Sequence, residues 1–134
     1  MRKYTQEEFA GFEVVNGVTQ CPVGDYSLIE SFGESCRFGA FCTFGARCSF
    51  GAFCTFGASC SFENKGFGSK ILQIRAGSFD RTSTAFYLDT GIYIRSGCFS
   101  GTLEEFETQV EKTHGDNVHG KTYKLWCEII RINQ

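Results

Sequence analysis

The sequence has one proline, one tryptophan, one methionine and two histidines in 134 residues. Any imidazole chemistry therefore rests on His114 and His119 alone. No apolar run approaches the roughly 20 residues that span a bilayer. Neither sign of charge is in excess: 13 Lys and Arg face 15 Asp and Glu, for a net charge of −2. That balance leaves no basic footprint for nucleic acid or for an anionic membrane. No two cysteines stand two to four residues apart, as the paired ligands of a zinc site would. A P-loop, a dinucleotide fingerprint and a Ser-His-Asp order are also missing. The opening MRKYTQEEFAGF turns acidic at once and lacks an apolar h-region, so no signal peptide is expected. The expected location is then the reducing cytoplasm of a bacterial host cell, with the eight cysteines as free, mostly buried thiols.

What is abundant is glycine (16), phenylalanine (15) and cysteine (8), in a chain that is 42% hydrophobic. That apolar content suffices for one compact domain over 1–134. Most of the excess comes from a repeat. Phenylalanine falls at 32, 38, 44, 50, 56 and 62, each but the last followed by glycine, and cysteine at 36, 42, 48, 54 and 60. Each Cys-x-Phe triplet alternates apolar, polar, apolar, which reads as a short strand with Cys and Phe on one face. The Gly-Ala-x that follows reads as a corner, with glycine supplying the unusual dihedrals. Three residues of strand and three of corner suit a coil with one side per hexad.

The pattern of a large apolar residue, Gly, two variable residues and a small residue resembles the hexapeptide repeat of left-handed parallel β-helices, with Phe in the large position and Cys in the small one. It is also similar to small uncharacterised bacteriophage and prophage proteins with cysteine-phenylalanine hexads. The resemblance implies an α+β chain in which a short left-handed parallel β-helix of about two turns spans 26–67. An N-terminal helix and hairpin (1–25) and an α+β region (68–134) of hairpins and C-terminal helices would cap it. Three hexads per turn place residue i under i+18, so Phe32 should stack under Phe50, Phe38 under Phe56, Phe44 under Phe62, Cys36 under Cys54 and Cys42 under Cys60.

The flanks carry their own signals. Thr5-Gln6-Glu7-Glu8 and Thr102-Leu103-Glu104-Glu105 are capping boxes. Val14 to Thr19 contains Asn16-Gly17, a two-residue hairpin turn. Ile71–Ala76 reads as a strand. Thr84–Leu88 and Ile92–Arg95 read as a hairpin with a three-residue Asp89-Thr90-Gly91 loop, which keeps Leu88, Phe86, Ile92 and Ile94 on one face. A helix should run from Leu103 to about His114, and another from about Asn117, whose apolar surface is wider than a peripheral helix needs.

Hexapeptide β-helices are best known as trimeric acyltransferases with a histidine base and acyl-CoA along the coil. Here both histidines lie outside the repeat, and two turns offer little surface for a pantetheine arm. Ice binding would need stacked threonines, but Ser61 and not Thr stands 18 residues from Thr43. Cys98, in a loop before a helix start, is the one cysteine placed for reactivity. Neither a catalytic residue, a cofactor nor a metal is expected. The reading is a non-enzymatic, phage-type binding or inhibitory protein, counter-defence-like, acting on a host protein or a small anionic signalling ligand. A structural or assembly protein of a virion and a degenerate hexapeptide acyltransferase are the alternatives. Arg75, Arg81 and Arg95, with His114, His119 and Tyr123, are the candidate ligand-binding residues, since guanidinium suits phosphate geometry. Phe41, Phe53, Trp126 and Ile129 are the candidate interface of a homo-oligomer. No membrane partner is expected.

Overall fold

Each hexad folds as its alternation requires. Strands β3 (Ser31–Phe32), β4 (Cys36–Phe38), β5 (Thr43–Phe44), β6 (Ser49–Phe50), β7 (Thr55–Phe56) and β8 (Cys60–Phe62) bury every phenylalanine but Phe56, which is half-buried, and leave the residue before each phenylalanine towards solvent. The computed structural model describes residues 1–76 and 81–134. They form two compact units: Met1–Lys70 with Leu88–Thr90, and Ile71–Tyr87 with Gly91–Gln134.

In the first unit, strands 18 residues apart pair in parallel: β3 with β6, β4 with β7, and β5 with β8 (Thr43 opposite Ser61). The expected left-handed parallel β-helix is nevertheless corrected. Hydrogen bonding divides these strands among three small sheets, in the orders β1-β2-β4-β7, β3-β6 and β5-β8-β9. Two of them include antiparallel pairs, contributed by β1 (Val14–Val15) against β2 (Val18–Cys21) and by β9 (Phe67–Gly68) against β8. The result is a mixed α+β chain of several small sheets, with no single parallel β-helix. The physical reason is strand length: with two or three residues between corners each ladder stays short, and the strands divide among separate sheets.

The corners also differ from expectation. The hexad glycines are not the left-handed residues. Ser35, Phe41, Arg47, Phe53 and Ser59, three positions after each hexad phenylalanine, have φ of 57–63°. The glycines instead allow close approach between rungs. A Cβ at Gly57 would lie 2.4 Å from the backbone nitrogen of Ala40, and one at Gly51 2.5 Å from that of Glu34.

The core of this unit is aromatic. Phe32–Phe50, Phe38–Phe56 and Phe44–Phe62 stack at 5.2, 5.4 and 5.2 Å with interplanar angles of 5–12°. Tyr26 extends the last column at 5.8 Å from Phe44, and Tyr4 caps it at 5.2 Å from Tyr26. Rings of different columns meet edge to face, as Phe38 does with Phe44 at 4.8 Å and 88°. Offset stacks and T-shaped contacts are the two arrangements that the ring quadrupole favours. The capping box of Thr5 forms as read, opening α1 (Gln6–Ala10). Asn16 and Gly17 make the β1–β2 turn, both with positive φ.

The second unit is a four-stranded sheet in the order β10-β11-β12-β13, from Lys70–Arg75, Thr82–Leu88, Gly91–Ser96 and Phe99–Thr102. The β11–β12 turn is Asp89–Thr90 alone, with Gly91 already in the strand, so the three-residue loop is corrected to two. Asp89, which belongs with Leu88 and Thr90 to the first unit, accepts from the amide of Phe67 at 2.9 Å. Thr102 caps α2 (Leu103–Thr113), and Asn117 caps α3 (Val118–Ile132). Leu103, Phe106 and Val110 meet Tyr123, Trp126, Cys127 and Ile130 over Ala85 and Ile94. Tyr87 donates its hydroxyl to the carbonyl of Ile130 at 2.8 Å, and Arg131 pairs with both oxygens of Glu107. Among the described residues, no helix is long and apolar enough to cross a membrane.

Candidate functional site

The second unit contains a cavity of about 320 Å³, lined by residues from the β12–β13 turn, both helices and the start of β11. Its apolar lining is Phe99, Phe106 and Val110; its polar lining includes Arg81, Gln109, His114 and Tyr123. Local sequence builds each wall. Gly97 and Cys98 form the tight turn between β12 and β13, with Gly97 at φ +58°. A Cβ there would fall 1.5 Å from Nη1 of Arg81, so the end of that side chain rests against the turn. Beneath it, Ser83 and Ser96 share a buried hydroxyl–hydroxyl hydrogen bond of 2.6 Å. His114 is the C-cap of α2. Its ring lies 5.8 Å from Tyr123 and 5.4 Å from His119. Tyr123 in turn packs edge-on against Phe106.

Three of the six residues read as ligand-binding, Arg81, His114 and Tyr123, thus line one cavity. His119 packs against His114, and among the described residues its buried Nδ1 has no hydrogen-bond partner. Arg75 on β10 is exposed and Arg95 on β12 is half-buried; neither lines the cavity. Cys98, Ser96, Phe99 and Gln109 line it without having been proposed as ligand contacts. The Ser-Gly-Cys-Phe turn between two strands was the signal available for three of them.

Of the proposed interface residues, Phe41 and Phe53 project from corners of the first unit and are 63% and 82% exposed. Ile129 is exposed on α3. Trp126 is corrected: it is 2% exposed and packs against Phe106, because it shares the buried face of α3 with Tyr123, Cys127 and Ile130, while Leu125, Ile129 and Ile132 stay exposed.

The repeat cysteines form a second constellation. Cys36 donates to the carbonyl of Gly33 (3.4 Å), Cys42 to Gly39 (3.1 Å) and Cys60 to Gly57 (3.3 Å), each three residues back in its own hexad. Cys54 and Cys60 also reach the glycines one rung away, Gly33 at 3.3 Å and Gly39 at 3.4 Å. Burial pushes Cys21 up to about 12 and Cys36 to about 11. Cys42 and Cys60 are buried beside one another, and the contact between the two thiols raises one and lowers the other, Cys42 upward and Cys60 downward.

Residues 36–51 and 48–62 match a CCCH zinc-finger family, described as RNA-binding, Nab2-type zinc finger. No curated protein matches the chain, and no solved structure does. The matched span, 36–62, is a minor part of the 134 residues. It contains five cysteines at spacing six, three in each match, and no histidine. Zinc wants four ligands converging on one point. Here the thiols face backbone carbonyls along separate columns, and among the described residues no group of three or more His, Cys, Asp or Glu side chains is placed to hold a metal ion. The residues present do not fit a zinc-finger site.

Proposed function

We propose that this chain is a binding protein, without catalytic chemistry of its own, whose second unit takes a small anionic ligand in the cavity of Arg81, His114 and Tyr123. The observation that carries this reading is the guanidinium of Arg81 held over Gly97 at an apolar cavity of about 320 Å³, a volume typical of small-molecule sites. Arginine supplies the fork that matches a phosphate or carboxylate. His114 and Gln109 add donors, and Phe99, Phe106 and Tyr123 supply faces for a flat apolar body. A phosphate-bearing ligand of about nucleotide size meets all three demands. The similarity to phage hexad proteins suggests the setting: a host cell in which sequestering such a ligand, or a host protein that uses it, counters a defence. A virion component is the second reading. It draws on Phe41 and Phe53, which expose aromatic surface for self-association. Binding of RNA draws only on the partial family match, against a net charge of −2.

Native mass spectrometry of reduced protein purified from a bacterial host tests the proposal. A non-covalent adduct that is retained in the wild type and lost in Arg81→Gln supports it. A chain that carries no adduct and turns over acyl-CoA overturns it. The same spectrum counts the subunits.

A further inference from the structure

Helix α3 has two apolar faces, and its own unit uses one. Tyr123, Trp126, Cys127 and Ile130 are buried against α2 and the sheet. Val118, Leu125, Ile129 and Ile132 are 46–80% exposed. With Thr122 they fall at 118, 122, 125, 129 and 132, the alternating four-and-three spacing of a coiled-coil seam. Thr122 is half-buried, and its hydroxyl donates to the carbonyl of Val118 at 2.8 Å, so it brings no unpaired donor to that seam. Four large aliphatic side chains in line exceed the scattered apolar residues that any surface carries. The charges of the helix divide in the same way. Lys124 bonds Asp116 and Glu111, and Arg131 pairs with Glu107, all inside the unit. Lys121 and Glu128 flank the seam, one position before Thr122 and Ile129, and among the described residues neither forms an ion pair. Asp116 lies within electrostatic reach of Lys121 but bonds Lys124.

We propose that this face of α3 is the interface of a two-fold homodimer, with the seams of two copies packed antiparallel. An interface closed by a two-fold axis uses the same patch on both copies. The seam meets that condition. Leu125 is the midpoint of Val118 and Ile132, and the midpoints of Lys121 and Glu128 and of Thr122 and Ile129 fall within one residue of it. With the axis at Leu125, Val118 meets Ile132 of the second copy and Lys121 meets its Glu128, once at each end. A parallel pair would lose those contacts: the flank of Lys121 and Glu128 would then face Trp126, which is buried in its own unit, and Asn133. The helix of a different protein would need no such mirrored charges. Exposed charge pairs add little affinity, so their part is to set the orientation, while the aliphatic seam supplies the attraction. A helix of 15 residues is about 22 Å long, which makes the interface a small one, and association in the micromolar range follows. The inference is independent of the cavity reading.

The test is sedimentation equilibrium of the full, reduced chain over a concentration series in the micromolar range. The expected result is a monomer–dimer equilibrium in the wild type. Leu125→Glu sets two carboxylates against each other at the axis and weakens the dimer by about tenfold or more. Lys121→Glu and Glu128→Lys each weaken it several-fold, because like charges then meet at both ends of the seam. An equimolar mixture of those two variants regains the wild-type constant as a heterodimer. All three positions are exposed, and an unchanged far-ultraviolet circular dichroism spectrum shows that the variants fold. A wild type that stays monomeric over the whole series, a dimer that survives Leu125→Glu, or charge variants that do not rescue one another on mixing overturns the assignment. An interface through Phe41 and Phe53, which lie in the first unit, would give the second of these results.

Discussion

Placing a methyl group at Gly57 should cost far more than placing one at Gly33, although the two occupy the same position of the hexad. At Gly57 the added Cβ would meet the backbone of the neighbouring rung: Ala40 N at 2.4 Å, Ala40 Cα at 2.7 Å and Gly39 C at 2.7 Å. These distances fall about 1 Å short of ordinary van der Waals separation. No side chain can swing away, so the rungs themselves must part. They are held by the amide of Gly57 on the carbonyl of Phe38 (2.9 Å) and the amide of Phe41 on the carbonyl of Ala58 (2.9 Å). Overpacking a filled site costs roughly 1–3 kcal/mol, and stretching a buried backbone hydrogen bond adds roughly 1 kcal/mol or more. Gly57→Ala should therefore destabilise the first unit by about 2–4 kcal/mol. At Gly33 an added Cβ meets nothing within 4 Å, and its φ lies outside the left-handed region. Gly33→Ala should be neutral or stabilising by up to about 1 kcal/mol, through the smaller entropy of the unfolded chain. Urea titration followed by far-ultraviolet circular dichroism reads both; the Gly57→Ala midpoint should fall by about 1 M or more. Equal midpoints for the two variants would refute the idea that these glycines exist to let rungs approach.

Phe53→Asn should stabilise the first unit by about 1 kcal/mol in the same titration, because the side chain is almost fully exposed and its φ of 63° suits asparagine far better than phenylalanine. Tyr87→Phe should cost about 0.5–1.5 kcal/mol in the unfolding of the second unit, followed by Trp126 fluorescence, through the loss of the hydroxyl bond to Ile130. Glu107 is held below the usual carboxylate range by its hydrogen bonds from Arg131. Its folded pKa is depressed, so its contribution is fully present above the unfolded carboxylate pKa and is lost as pH falls through the folded one. Unfolding midpoints of Glu107→Gln across the acid range should therefore show a shallower loss of stability than the wild type.

Features that depend on one periodicity were legible in the sequence. The six-residue recurrence of Phe and Cys located every hexad strand and the 18-residue register, down to Tyr26 standing where a phenylalanine would. Asn16-Gly17 and the two Thr-x-x-Glu boxes named their own structures, since each is a local hydrogen-bonding pattern complete within a few residues. What depends on competition between neighbours was not. Glycine looked like the left-handed residue because it pays least there, yet the corner puts φ > 0 two residues later and reserves glycine for contact between rungs. Likewise a three-residue β11–β12 loop preserved the apolar alternation, but the turn closes at two, with the carboxylate of Asp89 accepting from the amide of Phe67. The cavity shows the same limit. Arg81, His114 and Tyr123 come from a strand start, a helix end and the middle of the next helix, and only the packing of those elements joins them. Arg75 and Arg95 carry the same charge but sit at positions of β10 and β12 outside the cavity lining.

The cysteines show why spacing alone misleads. The partial match to a zinc-finger family falls on the run of Cys at intervals of six, over 36–62. In this fold the interval has another origin: it is the length of one strand plus one corner. The position beside each stacked ring needs a small side chain, and each corner presents a glycine carbonyl to it. Alanine would fill the space and donate nothing, while a thiol fills it and donates at 3.1–3.4 Å within its own hexad, as Cys36, Cys42 and Cys60 do. Serine could donate too, but a hydroxyl costs more to desolvate among phenylalanines than a thiol. Cysteine is thus the residue that satisfies packing and polarity together.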